Sequence, residues 1–268
     1  MRFLENIRYR MPVSFGPAPG PRQQVGGARV VDPMARVQGV STRFLTDADK
    51  LEALLPPGMS LDGEPVVTVE LLFLTELAWL AGRGYNSLGV KFPVVCKGRT
   101  ETVRGPYLSV LWENMADPMI TGREELGYAK LYCEIDQPAI SKDRQRYAAS
   151  WQRHRFFEME LTDIAPSSDL PNREGDGLLH YRYVPAIGRP GVADFAGPTL
   201  SPPSPHVELL DHKTAQGQLR FIRSSFEELP TLVHIVNALA GLPIVEYRGA
   251  SITEWRQDAE FANQRLVD

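Results

Sequence analysis

From Pro65 onward, apolar and β-branched residues recur at the short spacing of pleated strands, in Val66 to Phe73, Gly89 to Val95 and Tyr107 to Trp112. Gly82-Arg83-Gly84 and Lys97-Gly98 punctuate these runs as turns. The same texture predicts further strands over 130–135, 147–161, 178–184, 206–212, 217–223 and 244–253. Many antiparallel strands at such intervals describe a mainly β chain, a β-barrel or a double sheet with a few flanking helices. Two segments read as helices. Thr46-Asp47 caps a short one over Ala48 to Leu55, stopped by Pro56-Pro57-Gly58, and a second runs over Glu227 to Ala240, closed by Gly241 and Pro243.

Residues 14–27 hold three prolines and four glycines, which favours an extended segment over regular structure. This divides the chain into an N-terminal arm, 1–30, able to pack on a neighbouring subunit, and one domain over 31–268. The stretches 165–176 and 186–205, rich in Pro, Gly, Ser and Asp, read as loops within that domain.

Composition narrows the function without naming it. At 268 residues, with 43% hydrophobic and 23% charged positions, the chain is an ordinary globular protein able to bury a large core. A net charge of −4 argues against a general nucleic-acid binder. Cys96 and Cys133 stand far apart, in no metal-ligand spacing, which suits inert core thiols in a reducing compartment. The first residues offer no continuous apolar region of a signal peptide, and Leu71 to Ala81 is interrupted by Glu76 and too short to span a bilayer. A cytoplasmic protein with no membrane partner is expected. No glycine-rich nucleotide loop or serine elbow is present, and His206 and His212 lack a zinc-ligand helix spacing. No cofactor and no metal are expected.

The chemistry concentrates in Gly122-Arg123-Glu124 followed by Gly127-Tyr128-Ala129-Lys130. This segment resembles the signature of the acetoacetate decarboxylase family, in which Gly-Arg-Glu leads after a short spacer to an aromatic, a proline and two lysines. The first lysine forms a Schiff base in that family. The similarity extends to the early helix at 46–57, the strand Pro65 to Glu70, the segment Tyr85 to Lys97, Arg182-Tyr183-Val184-Pro185 and the terminal strand near 244–255. It implies that Lys130 is the imine-forming lysine, Glu70 an active-site glutamate, and the fold that of the family, commonly an oligomer.

Departures accompany the match. The family's second glutamate follows an aromatic as Tyr-x-Glu, and that triplet here is Tyr85-Asn86-Ser87. Ala129 and Leu131 stand in place of the proline and the second lysine. Arg36 lies within a residue of the position of the family's arginine and is the candidate carboxylate anchor, with Arg43 a poorer one. Tyr128, two residues from the lysine, joins Tyr85 and Ser87 as a substrate-contact candidate. Glu76 shares a strand face with Glu70 and is the candidate to replace the missing glutamate. Arg123 and Glu124 are explained as well by a structural ion pair.

A free lysine, with a pKa of about 10.4, is ammonium at neutral pH and cannot attack a carbonyl. Burial or a nearby cation lowers that value, and with Leu131 beside Lys130 burial has to supply most of the shift. The strand Leu131 to Ile135 is expected to direct the amine into a barrel. An iminium on a ketone then draws electrons from the α-carbon, releasing carbon dioxide or a proton. The expected function is a cofactor-independent lyase acting on a keto acid or β-keto acid, by decarboxylation or by aldol condensation and dehydration. The absent second glutamate shifts weight toward aldol chemistry. The rivals are a catalytically silent barrel binding a small ligand, and a biosynthetic cyclase or dehydratase built on the same scaffold.

Overall fold

The computed structural model describes residues 2–29, 34–169, 175–258 and 263–268. Met1 and Val30 of the arm, and 170–174 of the first loop-like stretch, lie outside the described residues.

Among the described residues, fifteen strands form one sheet. In chain order they are β1 (Ala35–Leu45), β2 (Met59–Leu61), β3 (Val66–Leu77), β4 (Arg83–Lys97), β5 (Thr102–Glu113), β6 (Lys130–Tyr132), β7 (Glu134–Ile135), β8 (Ala139–Ser141), β9 (Arg144–Trp151), β10 (His154–Pro166), β11 (Leu178–Pro185), β12 (Ala193–Ser201), β13 (Val207–Phe221), β14 (Glu246–Gln257) and β15 (Arg265–Leu266). The helices are α1 (Ala48–Glu52), α2 (Ala116–Thr121), continued by a π-turn over Gly122–Leu126, and α3 (Val233–Ala240).

The main path runs β15-β12-β11-β5-β4-β3-β1-β14-β13-β10-β9-β7. β6 pairs with β5, β7 pairs with β9, and Cys133 between them donates its N–H to the Glu113 carbonyl, so the short segment 130–135 links β5 back to β9 and closes the strands from β5 to β7 into a wall. β11, β12 and β15 hang outside that wall as a flap. Among the described residues, pairing is antiparallel except at two points, both on β5. Tyr107 meets Leu179 of β11, and Leu111 to Glu113 meet Lys130 to Tyr132 of β6. The antiparallel strands expected from sequence are therefore found, with parallel pairing added at the strand where the neighbours change, because the short segments from 114 to 129 re-enter β5 in its own direction.

Pleat alternation packs the interior. Val67, Val69, Leu71 and Phe73 of β3 face Leu88, Val90, Phe92 and Val94 of β4, with Trp112 of β5 against Phe156 and Phe221. Burying each such side chain contributes about 1.5–3 kcal/mol.

Several boundaries differ from the pattern in the sequence. The run 147–161 is a hairpin, because Gln152 and Arg153 both adopt positive φ and reverse the chain between β9 and β10. The two strands expected over 206–223 are one, β13. α1 has the expected cap, with Lys50 N–H donating to Asp47 Oδ1 at 3.0 Å. The later helix begins only at Val233: Ser225 and Glu228 cap a preceding turn, and Pro230 lacks the N–H a longer helix needs. β12 occupies part of the stretch read as loop, and α2 with its π-turn was not foreseen.

Candidate active site at the fork of β5

The face of the sheet opposite the apolar core carries the polar residues of interest. Leu131 lies opposite Trp112 and turns into the core, so Lys130, one residue earlier, points the other way. The amine thus sits outside the barrel wall rather than inside it, correcting the sequence expectation. It is nevertheless buried, with Lys130 5% exposed. α2, the π-turn and the β11–β12 flap roof this face.

Cross-strand register fixes the neighbours. Leu111 is opposite Lys130, Glu113 follows on the same face, and Glu113 is opposite Ser87 of β4. Lys130 Nζ lies 2.8 Å from Glu113 Oε1 and donates to the Pro118 carbonyl at 3.0 Å. Glu113 is 1% exposed, and its Oε2 has no hydrogen-bond partner. Burial lowers the Lys130 pKa against the opposing pull of Glu113, and burial raises that of Glu113 against the pull of Lys130. Both shifts favour the neutral forms and narrow the gap between the two groups.

The loop that carries the lysine is shaped around it. A β-carbon on Gly122 would overlap Lys130 Cδ and Cε and stand 2.8 Å from Nζ, which accounts for glycine at the head of Gly-Arg-Glu. Gly127 takes φ +83° and packs between Thr199 and Arg182, so a side chain there would meet both strain and collision. Arg123 donates to the Lys130 carbonyl at 2.8 Å, a clamp on the backbone in place of the expected ion pair with Glu124. Arg182 donates to the Glu124 carbonyl and Thr199 to that of Leu126, fixing the loop on the flap.

Beside the amine, the Tyr128 ring lies with Nζ 5.2 Å from its centroid and stacks on His180 at 3.8 Å. Tyr128 Oη and His180 Nε2 each lie 3.0 Å from Ser201 Oγ, and Gln264 Nε2 donates to both hydroxyls. His180 is fully buried and its pKa is pushed down to about 3, by burial first and by Lys130 second. Tyr85 shares the face of Ser87, and its phenol pKa is raised by burial, then by the charge of Glu113, then by Tyr128.

Of the residues marked in the sequence, Lys130, Tyr128, Ser87 and Tyr85 therefore converge. Glu70 does not join them. Its carboxylate pairs with Lys91 at 2.8 Å on a partly exposed surface, and β4 and β5 separate it from β6, three strand steps of about 4.8 Å each. Arg36 is exposed and ion-paired with Glu254, and Glu76 pairs with Arg256 at 2.8 Å. Neither reaches the lysine: both belong to a surface charge cluster at the β1–β3–β14 junction. Arg43 lies away from the site, near Gly249. Glu113, His180, Ser201 and Gln264 were missed. Glu113 alone left a usable signal, as an acidic residue at the end of an apolar strand.

A family model described as "Acetoacetate decarboxylase (ADC)" matches residues 10–254. The chain belongs to the acetoacetate decarboxylase family. A curated acetoacetate decarboxylase from Clostridium botulinum (strain Eklund 17B / Type B) is 25% identical over 152 residues, covering 54% of this chain and 59% of that protein, so the match spans less than two thirds of its length. Among solved structures, the acetoacetate decarboxylase from Legionella pneumophila is similar with a TM-score of 0.69 at 17% identity, covering 100% of this chain and 98% of that one. The enduracididine biosynthesis enzyme MppR superposes with a TM-score of 0.67 at 17% identity, covering 90% of each chain. At these identities the structural likeness establishes the acetoacetate decarboxylase fold.

Within that fold, the described residues contain no group of three or more His, Cys, Asp or Glu side chains able to hold a metal ion. Cys96 and Cys133 are free and buried, and burial raises both thiol pKa values, which leaves them inert. No described helix is long and apolar enough to cross a membrane.

Proposed function

We propose that this member of the acetoacetate decarboxylase family is a cofactor-independent lyase that binds a keto acid as an imine on Lys130, with Glu113 as its acid and base. The observation that carries the reading is the buried pair itself: one amine, 5% exposed, with one carboxylate at 2.8 Å.

The chemistry follows from the two opposed pKa shifts. Passing the ammonium proton to Glu113 frees the Lys130 lone pair, which attacks the ketone carbon to give a carbinolamine. Protonated Glu113 then returns its proton to the departing hydroxyl, water leaves, and an iminium forms beside a carboxylate. The iminium accepts the electron pair of a breaking bond at the α-carbon. If that bond is to hydrogen, Glu113 takes the proton and an enamine results, ready to attack an aldehyde. If it is to a carboxylate, carbon dioxide departs and no base is needed.

A base already within hydrogen-bond reach of the amine favours the first branch. The MppR structures solved with pyruvate, and with the condensation product of pyruvate and imidazole 4-carboxaldehyde, are in keeping with it, whereas the curated relative bears the decarboxylase name. Borohydride reduction in the presence of pyruvate, followed by peptide mapping, is expected to place a stable adduct on Lys130. No adduct across a panel of keto and β-keto acids would return the chain to a silent ligand-binding barrel. Deuterium entering the methyl group of pyruvate without carbon dioxide release identifies the enamine branch, and carbon dioxide release from a β-keto acid identifies the other.

A further inference from the structure

The wall facing Lys130 is built on β11 and β12, which present His180, Arg182, Thr199 and Ser201 on one face by alternation and register. Thr199 and Arg182 are used to hold the lysine-bearing loop. His180 is not. It makes one hydrogen bond through Nε2, and its Nδ1 is buried without a partner. Buried polar atoms are rarely left unpaired, and here Arg182 Nε, Glu113 Oε2 and Gln264 Oε1 are unpaired as well, four such atoms in the shell of groups about Lys130.

With the Gln264 amide nitrogen directed at the two hydroxyls, proton accounting assigns the tautomer of His180. Gln264 Nε2 donates to Tyr128 Oη and to Ser201 Oγ, so neither hydroxyl can spend its proton on that nitrogen. Tyr128 then donates to Ser201, and Ser201 donates to His180 Nε2. The reverse direction would leave the phenol proton without an acceptor among these groups. Nε2 is thus an acceptor, and the single proton of the neutral imidazole resides on Nδ1. Burial and the nearby Lys130 charge, which hold the pKa to about 3, keep the ring neutral.

A second gap in the site matches this donor. A keto acid brings a carboxylate, yet Arg36, the anchor expected from sequence, is exposed and paired with Glu254. We propose that His180 is a substrate-binding residue whose Nδ1–H donates a hydrogen bond to the carboxylate of the keto acid held at Lys130, with Ser201, Tyr128 and Gln264 fixing its tautomer. The assignment rests on the imine reading for the identity of the ligand.

Two substitutions separate the nitrogens of the ring. The amide nitrogen of His180→Asn falls near the Nδ1 position, whereas that of His180→Gln reaches toward Nε2 and Ser201 only. Each variant and the unaltered protein are reduced with borohydride in pyruvate and, separately, in acetone, which carries a ketone and no carboxylate, and the Lys130 adduct is followed by intact mass. The expected result is that His180→Gln forms the pyruvate adduct about tenfold more slowly and the acetone adduct at the unaltered rate, while His180→Asn restores most of the pyruvate rate. Equal pyruvate rates in all three proteins, or parallel losses with pyruvate and acetone, overturn the proposal. If the unaltered protein gives no adduct with either compound, the imine reading fails by itself. The binding role is then read from the histidine nitrogen spectrum: an Nδ1–H signal of His180 that moves on addition of pyruvate supports it, and one that does not move overturns it.

Discussion

Ser87 and Glu113 are cross-strand partners on β4 and β5, so the carboxylate of this site stands one strand away from the Tyr-x-Glu position where the family pattern places a glutamate. Directly opposed residues hold their β-carbons about 4.5–5.5 Å apart, and a glutamate side chain spans that gap. A glutamate at either position therefore reaches the same space beside the lysine. Exchanging the pair tests this equivalence. Glu113→Ser is expected to slow formation of the Lys130 adduct by about 100-fold or more, the usual loss when a positioned acid is removed. The double variant Ser87→Glu/Glu113→Ser is expected to recover at least a tenth of the rate. Trapping kinetics with pyruvate measure both, and a double variant as slow as the single one would show that Glu113 does not stand in for the missing glutamate.

Glu70 gives the converse expectation. It is tied to Lys91 with both side chains about one quarter exposed, an ion pair of the kind that contributes at most about 1 kcal/mol. Glu70→Gln should leave the rate of Lys130 adduct formation within about threefold of the unaltered protein and change stability by no more than that same ~1 kcal/mol. Trapping kinetics and urea denaturation report the two quantities, and a large kinetic loss would put Glu70 back in the reaction.

Gly122 separates the site from the fold. Its backbone is in the ordinary right-handed helical region, so alanine is tolerated there and gains about 0.5–1 kcal/mol over glycine in a helical turn. The added β-carbon nonetheless takes the space of the Lys130 methylenes. These are the far part of a flexible side chain and can swing aside. Gly122→Ala is therefore expected to keep the thermal midpoint within a few degrees of the unaltered protein while lowering adduct formation at least tenfold. A variant that reacts normally would show that the close approach at Gly122 does not position the amine, and one that unfolds would show that this contact holds the fold as well as the site.

The lysine was legible in the sequence because a contiguous motif marks it. The glutamate was not, because its significance lies in register: only the pairing of Leu111 with Lys130 and of Ser87 with Glu113 shows that three separate segments meet. Alternation told which residues of β3 share a face, but not that Glu70 would sit three strands from β6. For Lys130 itself, one residue of phase decided whether the amine entered the core, and Leu131 took that place. Ser201 lay in a proline- and glycine-rich stretch that reads as loop and is β12, where Pro198, lacking an N–H, is accommodated beside the short β15. His180 and Gln264 carry no local signal at all. They gain meaning only where the flap folds over the lysine.

His180 also ties stability to pH. Its folded pKa, about 3, is below the ordinary value of 6.5, with burial the first cause and the charge of Lys130 the second. The folded state therefore binds this proton more weakly than the unfolded chain. The resulting stability is fully present above pH 6.5 and is lost progressively as pH falls toward 3. Between these values the loss is about 1.4 kcal/mol per pH unit, so His180 accounts for roughly 2 kcal/mol between pH 7 and pH 5. Carboxylates elsewhere titrate over part of the same range, and the comparison that isolates the histidine is with His180→Asn, which has no titrating group there. Urea denaturation at pH 7 and pH 5 is expected to show a fall in stability larger by ~2 kcal/mol in the unaltered protein than in the variant. Equal falls in the two proteins would mean that His180 is protonated without cost, and that the imidazole is not the buried neutral donor of the flap.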